Sequence, residues 1–229
     1  MKKLLLPLAC LLTATPLLQA DEVALLKVVL QRKQAPQNVF IELHEAEAPT
    51  TVANFKKLAR KKFYDGVAFH RVFPHILVQA GDPLSKKKDR TKVGTGGPGW
   101  TLQPEIRRKH VKGAVAMARL PDKINPARVS NGSQFFICLQ PNPGYDGQYT
   151  VFGQVIQGLE TLDAISTRPA DSNDNPVDRV TIKSLRLVSR PEAPPAPAPA
   201  AAPPGKAKPG ETTPAPVPQA KRPWWKLWG

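Results

Sequence analysis

Apolar residues along the chain fall mostly into short runs of strand length, bounded by turn-forming residues. Residues 23–30 and 39–44 form the first two runs, separated by a polar turn around Gln34-Ala35-Pro36, and predict an opening hairpin. Further runs at 67–73, 76–80, 113–118, 135–139, 149–156 and 180–188 are divided by loops rich in Gly, Pro and Asn. Helical spacing shows in two places. Val52, Phe55, Leu58 and Ala59 recur at that spacing after Pro49-Thr50-Thr51, which predicts a helix over 49–62 with proline in its first turn and threonine as cap. A second helix is predicted over 159–165, and Asp65-Gly66 closes the first unit with a turn. Many short strands with two helices predict a closed or nearly closed antiparallel barrel, capped at its ends.

Both termini depart from that pattern. Met1-Lys2-Lys3, a mostly apolar stretch over 4–18 and the small Ala20 ahead of Asp21-Glu22 predict a secretory signal over 1–20, and therefore an exported, periplasmic chain. Leu8-Ala9-Cys10 also fits a lipoprotein cleavage site, but the apolar run ahead of Cys10 is short and holds Pro7, so cleavage after Ala20 is favoured and Cys138 is then the sole thiol. No later run approaches the roughly 18 apolar residues of a spanning helix. Residues 191–229 hold 12 of the 26 prolines among many alanines, the composition of a disordered linker or tail that buries no core. Its end, Lys221-Arg222-Pro223-Trp224-Trp225-Lys226-Leu227-Trp228, holds three of the four tryptophans. Trp224, Trp225 and Trp228 among cations suit weak contact with an anionic membrane surface, and fit equally well a sticky end without a dedicated partner.

Between the termini, residues 21–190 form one domain carrying 26 Lys/Arg against 16 Asp/Glu, a net charge of +10. Such a field steers a protein toward acidic surfaces or clients. No recognition-helix, RNA-platform or zinc-finger pattern accompanies it, so nucleic acid is not an expected partner. Two cysteines cannot build a multi-Cys zinc site, and His44, His70, His75 and His110 lack ligand spacing, so neither metal nor cofactor is expected. The histidines are read as structural or exposed, and the chain as a monomer.

Six strings then occur in series. They are Phe69-His70-Arg71-Val72, Gln79-Ala80-Gly81-Asp82, Gly94-Thr95-Gly96-Gly97, Ala116-Met117-Ala118, Asn131-Gly132-Ser133-Gln134-Phe135-Phe136-Ile137 and Asp146-Gly147-Gln148-Tyr149-Thr150-Val151-Phe152-Gly153. Each alone is weak; in this order and spacing, over residues 23–189, they resemble the cyclophilins. That resemblance implies a closed eight-stranded antiparallel barrel with two capping helices, and peptidyl-prolyl cis-trans isomerase activity on proline-containing unfolded or flexible polypeptides.

The chemistry can be stated independently of the family. Rotating an X-Pro bond breaks amide resonance against a barrier of about 18–20 kcal/mol, and no covalent bond is made or broken. A catalyst therefore needs a donor that stabilises the twisted amide, and an apolar pocket that holds the proline ring while the acyl side turns. A rate gain of about 10⁵ requires roughly 7 kcal/mol of preferential transition-state stabilisation.

By the resemblance, Arg71 is the catalytic arginine, a permanently charged planar fork of donors. Taken alone it would also fit a surface ion pair. Gln79 matches the active-site glutamine that orients the arginine, Phe136 the aromatic floor of the proline pocket, and Gln134 the groove beside it. Ile76 and Leu77 stand where the best-known eukaryotic pattern has Phe-Met, which keeps the wall apolar. Ala118-Arg119-Leu120 replaces Ala-Asn-Ala, so main-chain contact through Ala118 persists and Arg119 adds charge at the groove. Gly144-Tyr145 replaces Trp-Leu and Tyr149 replaces a histidine, which makes the rim more polar and predicts weak cyclosporin binding. Cys138, in an apolar run, is expected to be buried and unreactive.

Two loops look longer than those of compact relatives, 83–93 and 120–130. The first carries Lys86-Lys87-Lys88 and Arg90 and would select clients with acidic residues beside proline, or be merely solvated. The glycines of 94–99 are read as turn formers with positive backbone dihedrals. The expected function is thus an exported prolyl isomerase that speeds the folding of secreted or envelope proteins. The alternative is a non-catalytic chaperone or scaffold of the same shape that grips proline segments.

Overall fold

A computed structural model describes residues 22–31 and 34–191; the expected signal segment with Cys10, and the tail with Trp224, Trp225 and Trp228, lie outside the described residues. Eight strands and two helices follow in order: β1 (Glu22–Val29), β2 (Gln37–Leu43), α1 (Pro49–Arg60), β3 (Arg71–Phe73), β4 (Leu77–Ala80), β5 (Ala114–Met117), β6 (Phe135–Cys138), β7 (Val151–Gln157), α2 (Leu159–Ser166) and β8 (Thr181–Ser189). Short 3₁₀ turns at Pro83–Lys86 and Pro143–Tyr145 start on prolines and were not foreseen.

The strands make one curled antiparallel sheet in the order β3-β4-β6-β5-β7-β2-β1-β8. The expected closed barrel is corrected to an open half-barrel, because β3 and β8 share no ladder. The physical reason lies just before β3. Residues 66–69 cross β8 by single bonds: Gly66 N donates to Ile182 O at 2.8 Å, Ile182 N to Val67 O at 2.8 Å and Phe69 N to Val180 O at 3.0 Å. The chain then turns away, and β3 is only three residues long.

Inward positions follow the pleat. Ala24, Leu26 and Val28 of β1, Val39 and Ile41 of β2, and Val115 and Met117 of β5 point to one core. Helix α1 adds Val52, Phe55, Leu58 and Ala59 and packs on β8; α2 adds Leu162 and Ile165 and packs on β2, β3 and β4. Phe55 meets Tyr64, Phe135 and Phe152 at ring-centroid distances of 5.3, 5.9 and 5.0 Å. Burial of each such ring contributes about 2–3 kcal/mol.

The ends of α1 show what pattern reading misses. Ala48 occupies the N-cap and no side chain of the helix caps it. Instead Glu105, 54 residues away from Thr51 in sequence, accepts from Thr50 N at 3.1 Å, Thr51 N at 2.9 Å and Thr51 Oγ1 at 2.8 Å. The predicted threonine cap is thereby corrected: the hydroxyl donates, and a loop carboxylate does the capping. At the other end Lys62, in the left-handed region at φ 56°, donates to Ala59 O while Phe63 N donates to Leu58 O, the paired bonds of a Schellman stop.

Strands β4, β5 and β6 are buried on both faces. Their inward residues join the main core, while Leu77, Ala114, Ala116, Phe136 and Cys138 face the other way. That second face carries the site.

Candidate active site

Register places the key side chains in one row. Arg71 of β3 pairs with Gln79 of β4, Gln79 with Phe136 of β6, and Phe136 with Ala116 of β5. Directly opposed residues share a face, so the guanidinium, the amide and the ring project together from the outer side of the half-barrel.

The polar half of the row is a cleft of about 440 Å³, lined among others by Arg71, Gln79, Ala118, Arg119 and Gln134. Arg71 is 13% exposed, and its Nε lies 4.0 Å from Oδ2 of Asp174. Burial weakens the guanidinium's hold on its proton and Asp174 opposes that. Burial in turn raises the Asp174 carboxyl, against the pull of Arg71. Gln79 Nε2 donates to Gln134 Oε1 at 2.9 Å, and Gln134 Nε2 donates to Gly94 O and Gly96 O at 2.9 and 2.8 Å. Asp82 ties down the same glycine loop by accepting from Gly94 N and Gly96 N. A Cβ on Gly96 would sit 2.2 Å from Asp82 Oδ1, so close approach rather than a left-handed backbone requires glycine there; the positive dihedrals expected along 94–99 occur at Gly94 and Gly99 and not at Gly96 or Gly97.

The apolar half is a separate cluster. Leu77, Phe136, Tyr145 and Tyr149 are buried together, with Phe73 and Ile76 packed against them. Tyr145 and Tyr149 stand edge-on to Phe136 at 5.8 and 5.3 Å, and His110 stacks parallel to it at 6.0 Å. The ten residues singled out from sequence therefore divide into two adjoining groups joined at the Gln79–Phe136 pair.

Three readings change in detail. Arg119 is not a free charge at the groove: its Nε donates to Gln148 O at 2.8 Å, its guanidinium to Leu120 O at 2.9 Å and Asp122 Oδ1 at 2.5 Å, and it lies 4.7 Å from the Tyr149 ring centroid. Its donors are drawn inward because carbonyls of two loops converge on it. Ala118 lines the cleft, but its N–H already donates to Gln134 O and its C=O accepts from Asn131 N. Tyr145 is only 7% exposed, so its ring adds to the apolar cluster rather than to a polar rim.

Some participants were missed. Asp174 has no local motif; its C=O accepts from Val72 N at 2.8 Å, which brings its carboxylate beside Arg71. His110 donates its backbone N–H to Asp146 Oδ1 at 2.7 Å, with Nδ1 at 3.1 Å from the same oxygen. Burial lowers the His110 pKa, Asp146 opposing. Asn131, within a quoted string, accepts from Gln134 N at 3.0 Å and donates to Gly96 O at 3.0 Å, fixing the loop beneath the cleft. Among the described residues no group of three or more His, Cys, Asp or Glu is placed to hold a metal ion, and no helix is long and apolar enough to cross a membrane.

A largely buried guanidinium and a hydrogen-bonded amide beside a wall of apolar rings, set on an antiparallel half-barrel, suit an enzyme of the class that grips a polypeptide segment. The comparisons agree with that class. The profile of the family "Cyclophilin type peptidyl-prolyl cis-trans isomerase/CLD" matches residues 27–187. Peptidyl-prolyl cis-trans isomerase-like 1 of Aspergillus oryzae is 37% identical over 158 residues, covering 66% of this chain and 90% of that protein. Peptidyl-prolyl cis-trans isomerase B of Bacillus subtilis is 44% identical over 122 residues, covering 52% and 76%. The crystal structure of a Cryptosporidium parvum cyclophilin-type isomerase superposes with a TM-score of 0.63 at 28% identity, covering 74% of this chain and 99% of that one. The same protein in the presence of the dipeptide Ala-Pro gives a TM-score of 0.62. The chain belongs to the cyclophilin-type peptidyl-prolyl cis-trans isomerases, enzymes that act on proline-containing peptides.

Proposed function

We propose that Arg71 is the catalytic donor of this isomerase, with Gln79 as its positioning partner, and that the enzyme works on X-Pro bonds of secreted or envelope polypeptides. The observation that carries the assignment is the row Arg71, Gln79, Phe136, set by strand register at the edge of the cleft. As the bond twists, resonance is lost and the prolyl nitrogen becomes a basic acceptor. The Arg71 guanidinium, already largely desolvated beside Asp174, donates to it and is worth more there than in water. Ile76, Leu77, Phe136, Tyr145 and Tyr149 hold the proline ring as the acyl side rotates.

Because Ala118 has spent its backbone groups, substrate main chain pairs one residue further on. The N–H and C=O of Arg119 are absent from the described backbone hydrogen bonds, while its side chain pins the strand end that presents them. The leader-like residues 1–20 support a location outside the cytoplasm, and the Trp-rich end at 221–229 supports weak adhesion to an anionic membrane face.

A protease-coupled proline-peptide assay on the mature chain tests the assignment. Arg71→Ala should lower kcat/KM by about 10²–10³, the scale for losing one transition-state donor, and Arg71→Lys should recover little of it. Turnover that survives Arg71→Ala would remove the arginine from the mechanism and leave the chain a proline binder.

A further inference from the structure

Beyond the cleft the groove does not stop at Arg71. A second concavity is lined by Arg71, Gln79, Gly94 and Thr95, which also line the cleft, and by His70, Arg90, Val93 and Asn175. The latter four reappear in a third, whose other walls are Lys87, Lys88, Arg179, Ser85 and Ala68. Shared walls make these one trough running from the catalytic guanidinium to a cluster of four cations.

No carboxylate lines that far end. Most arginines elsewhere in the domain are ion-paired. Arg60, Arg71, Arg108, Arg119, Arg128 and Arg186 each have an acidic partner, while Arg107 donates to Ala46 O. Arg90 instead donates to Asn175 Oδ1 and to the carbonyls of Pro176 and Val177, and Arg179 to the carbonyls of Ser85 and Gly66. These bonds fix both guanidiniums without neutralising them, and burial, with Arg90 nearby, weakens Arg179's hold on its proton. Lys87 and Lys88 are exposed and make no ion pair among the described residues. Nearby acids are hydrogen-bonded locally: Asp89 accepts from Thr91 N and Oγ1, with Lys87 close enough to favour its charge, and Asp82 from Leu84 N and the glycine loop. Asp171 lines only the middle stretch, and Asp178 adjoins Arg179 in sequence. Lys86 is not part of the cluster, since its Nζ donates to Phe63 O at 2.8 Å.

We propose that this cationic end is a specificity subsite for carboxylate side chains that flank the proline of a substrate polypeptide. The reading rests on the isomerase site assigned above, and it gives that site a substrate class: acidic proline segments. Two arginines held by loop carbonyls supply a preorganised field, and the two exposed lysines add charge to it.

The test compares kcat/KM for a proline peptide carrying Glu, Gln or Lys singly at each flanking position, at low and high salt. At the position that reaches the trough Glu should exceed Gln by about fivefold at low ionic strength, the advantage shrinking with added salt. In Lys87→Gln/Lys88→Gln the Glu-to-Gln ratio should fall toward one, a comparison made within one enzyme and independent of its overall rate. Turnover of the Gln peptide with no Glu preference at any position, or a preference that survives the double variant, overturns the subsite and leaves the isomerase site standing. No turnover of any peptide overturns both.

Discussion

Gln79 faces Arg71 across the β3–β4 ladder and donates its amide to Oε1 of Gln134 at 2.9 Å, so the guanidinium's neighbour is itself held by a second glutamine. Gln134 is in turn fixed by Gly94 O and Gly96 O. A chain of bonds runs from the strand edge carrying Gln79 into the glycine loop. Removing either glutamine should therefore damage the same thing, the placement of Gln79 relative to substrate and Arg71. Gln79→Ala and Gln134→Ala are each expected to lower kcat/KM about tenfold, and the double variant little further, because linked residues are non-additive. Multiplying losses in that double-mutant cycle would show that the two act independently.

Arg119 should behave as a structural residue. Its side chain is 5% exposed and joins Gln148 O, Leu120 O, Asp122 and the Tyr149 ring. Arg119→Ala removes a buried guanidinium from the Gln148 and Leu120 carbonyls and from Asp122, at an expected cost of about 1–2 kcal/mol. Urea unfolding should show a lower midpoint at unchanged slope, and Arg119→Lys should restore little because an ammonium cannot reproduce the fork. An unchanged midpoint would return Arg119 to the role of a loose charge at the groove.

The parts of the fold carried by local pattern were legible in the chain: each of the eight apolar runs became a strand, and helical spacing found α1 and α2. Closure was not, because whether β3 meets β8 depends on where residues 66–69 leave the sheet, a matter of long-range geometry. The site shows the same division. Arg71, Gln79 and Phe136 stood in recognisable strings, and register then aligned them. Asp174, His110 and Glu105 act through partners far along the chain, and no spacing rule points to them. Arg119 does line the cleft, but residue type alone does not say which carbonyls its guanidinium will meet.

Acid should weaken the fold through its histidines first. Burial drives the His70 pKa down to about 4, with Asp82 opposing and Arg71 assisting, and burial lowers that of His110 as well. An unfolded histidine titrates near 6.5, so between about pH 6.5 and 4 the unfolded chain binds protons that the folded one refuses. Stability is then full above that window and declines as pH falls through it, by about 3 kcal/mol for His70 alone. Asp65 and Asp122 have pKa values lowered chiefly by bonds from Arg186 and Arg128 respectively; their contribution is present above about pH 4 and is lost only below it. Urea midpoints across the upper window isolate the histidines, and NMR should find the His70 ring neutral at about pH 5. A ring protonated there, with a flat stability profile, would contradict its burial.

The cap on α1 offers a test of how a distant loop is tied to the helix. Glu105 is oriented by its own N–H, which donates to Thr150 Oγ1 at 2.8 Å, and its carboxylate collects both Thr50 and Thr51 amides. Its pKa is lowered, since the bonds from Thr51 and Thr50 outweigh the desolvation that acts against them. Charge matters at this place because the first amides of a helix carry the positive end of its dipole. Glu105→Gln keeps an acceptor and removes the charge, and is expected to cost about 0.5–1 kcal/mol; Glu105→Ala removes both, and should cost about 1–2 kcal/mol. Thr51→Ser, which preserves the hydroxyl donor, should be milder than Thr51→Val. Amide exchange at Thr50 and Thr51 provides the local readout: both should exchange faster in Glu105→Ala while amides of β1 and β8 keep their protection. Equal loss of protection across the whole domain would mean that the carboxylate holds the fold together rather than the helix end.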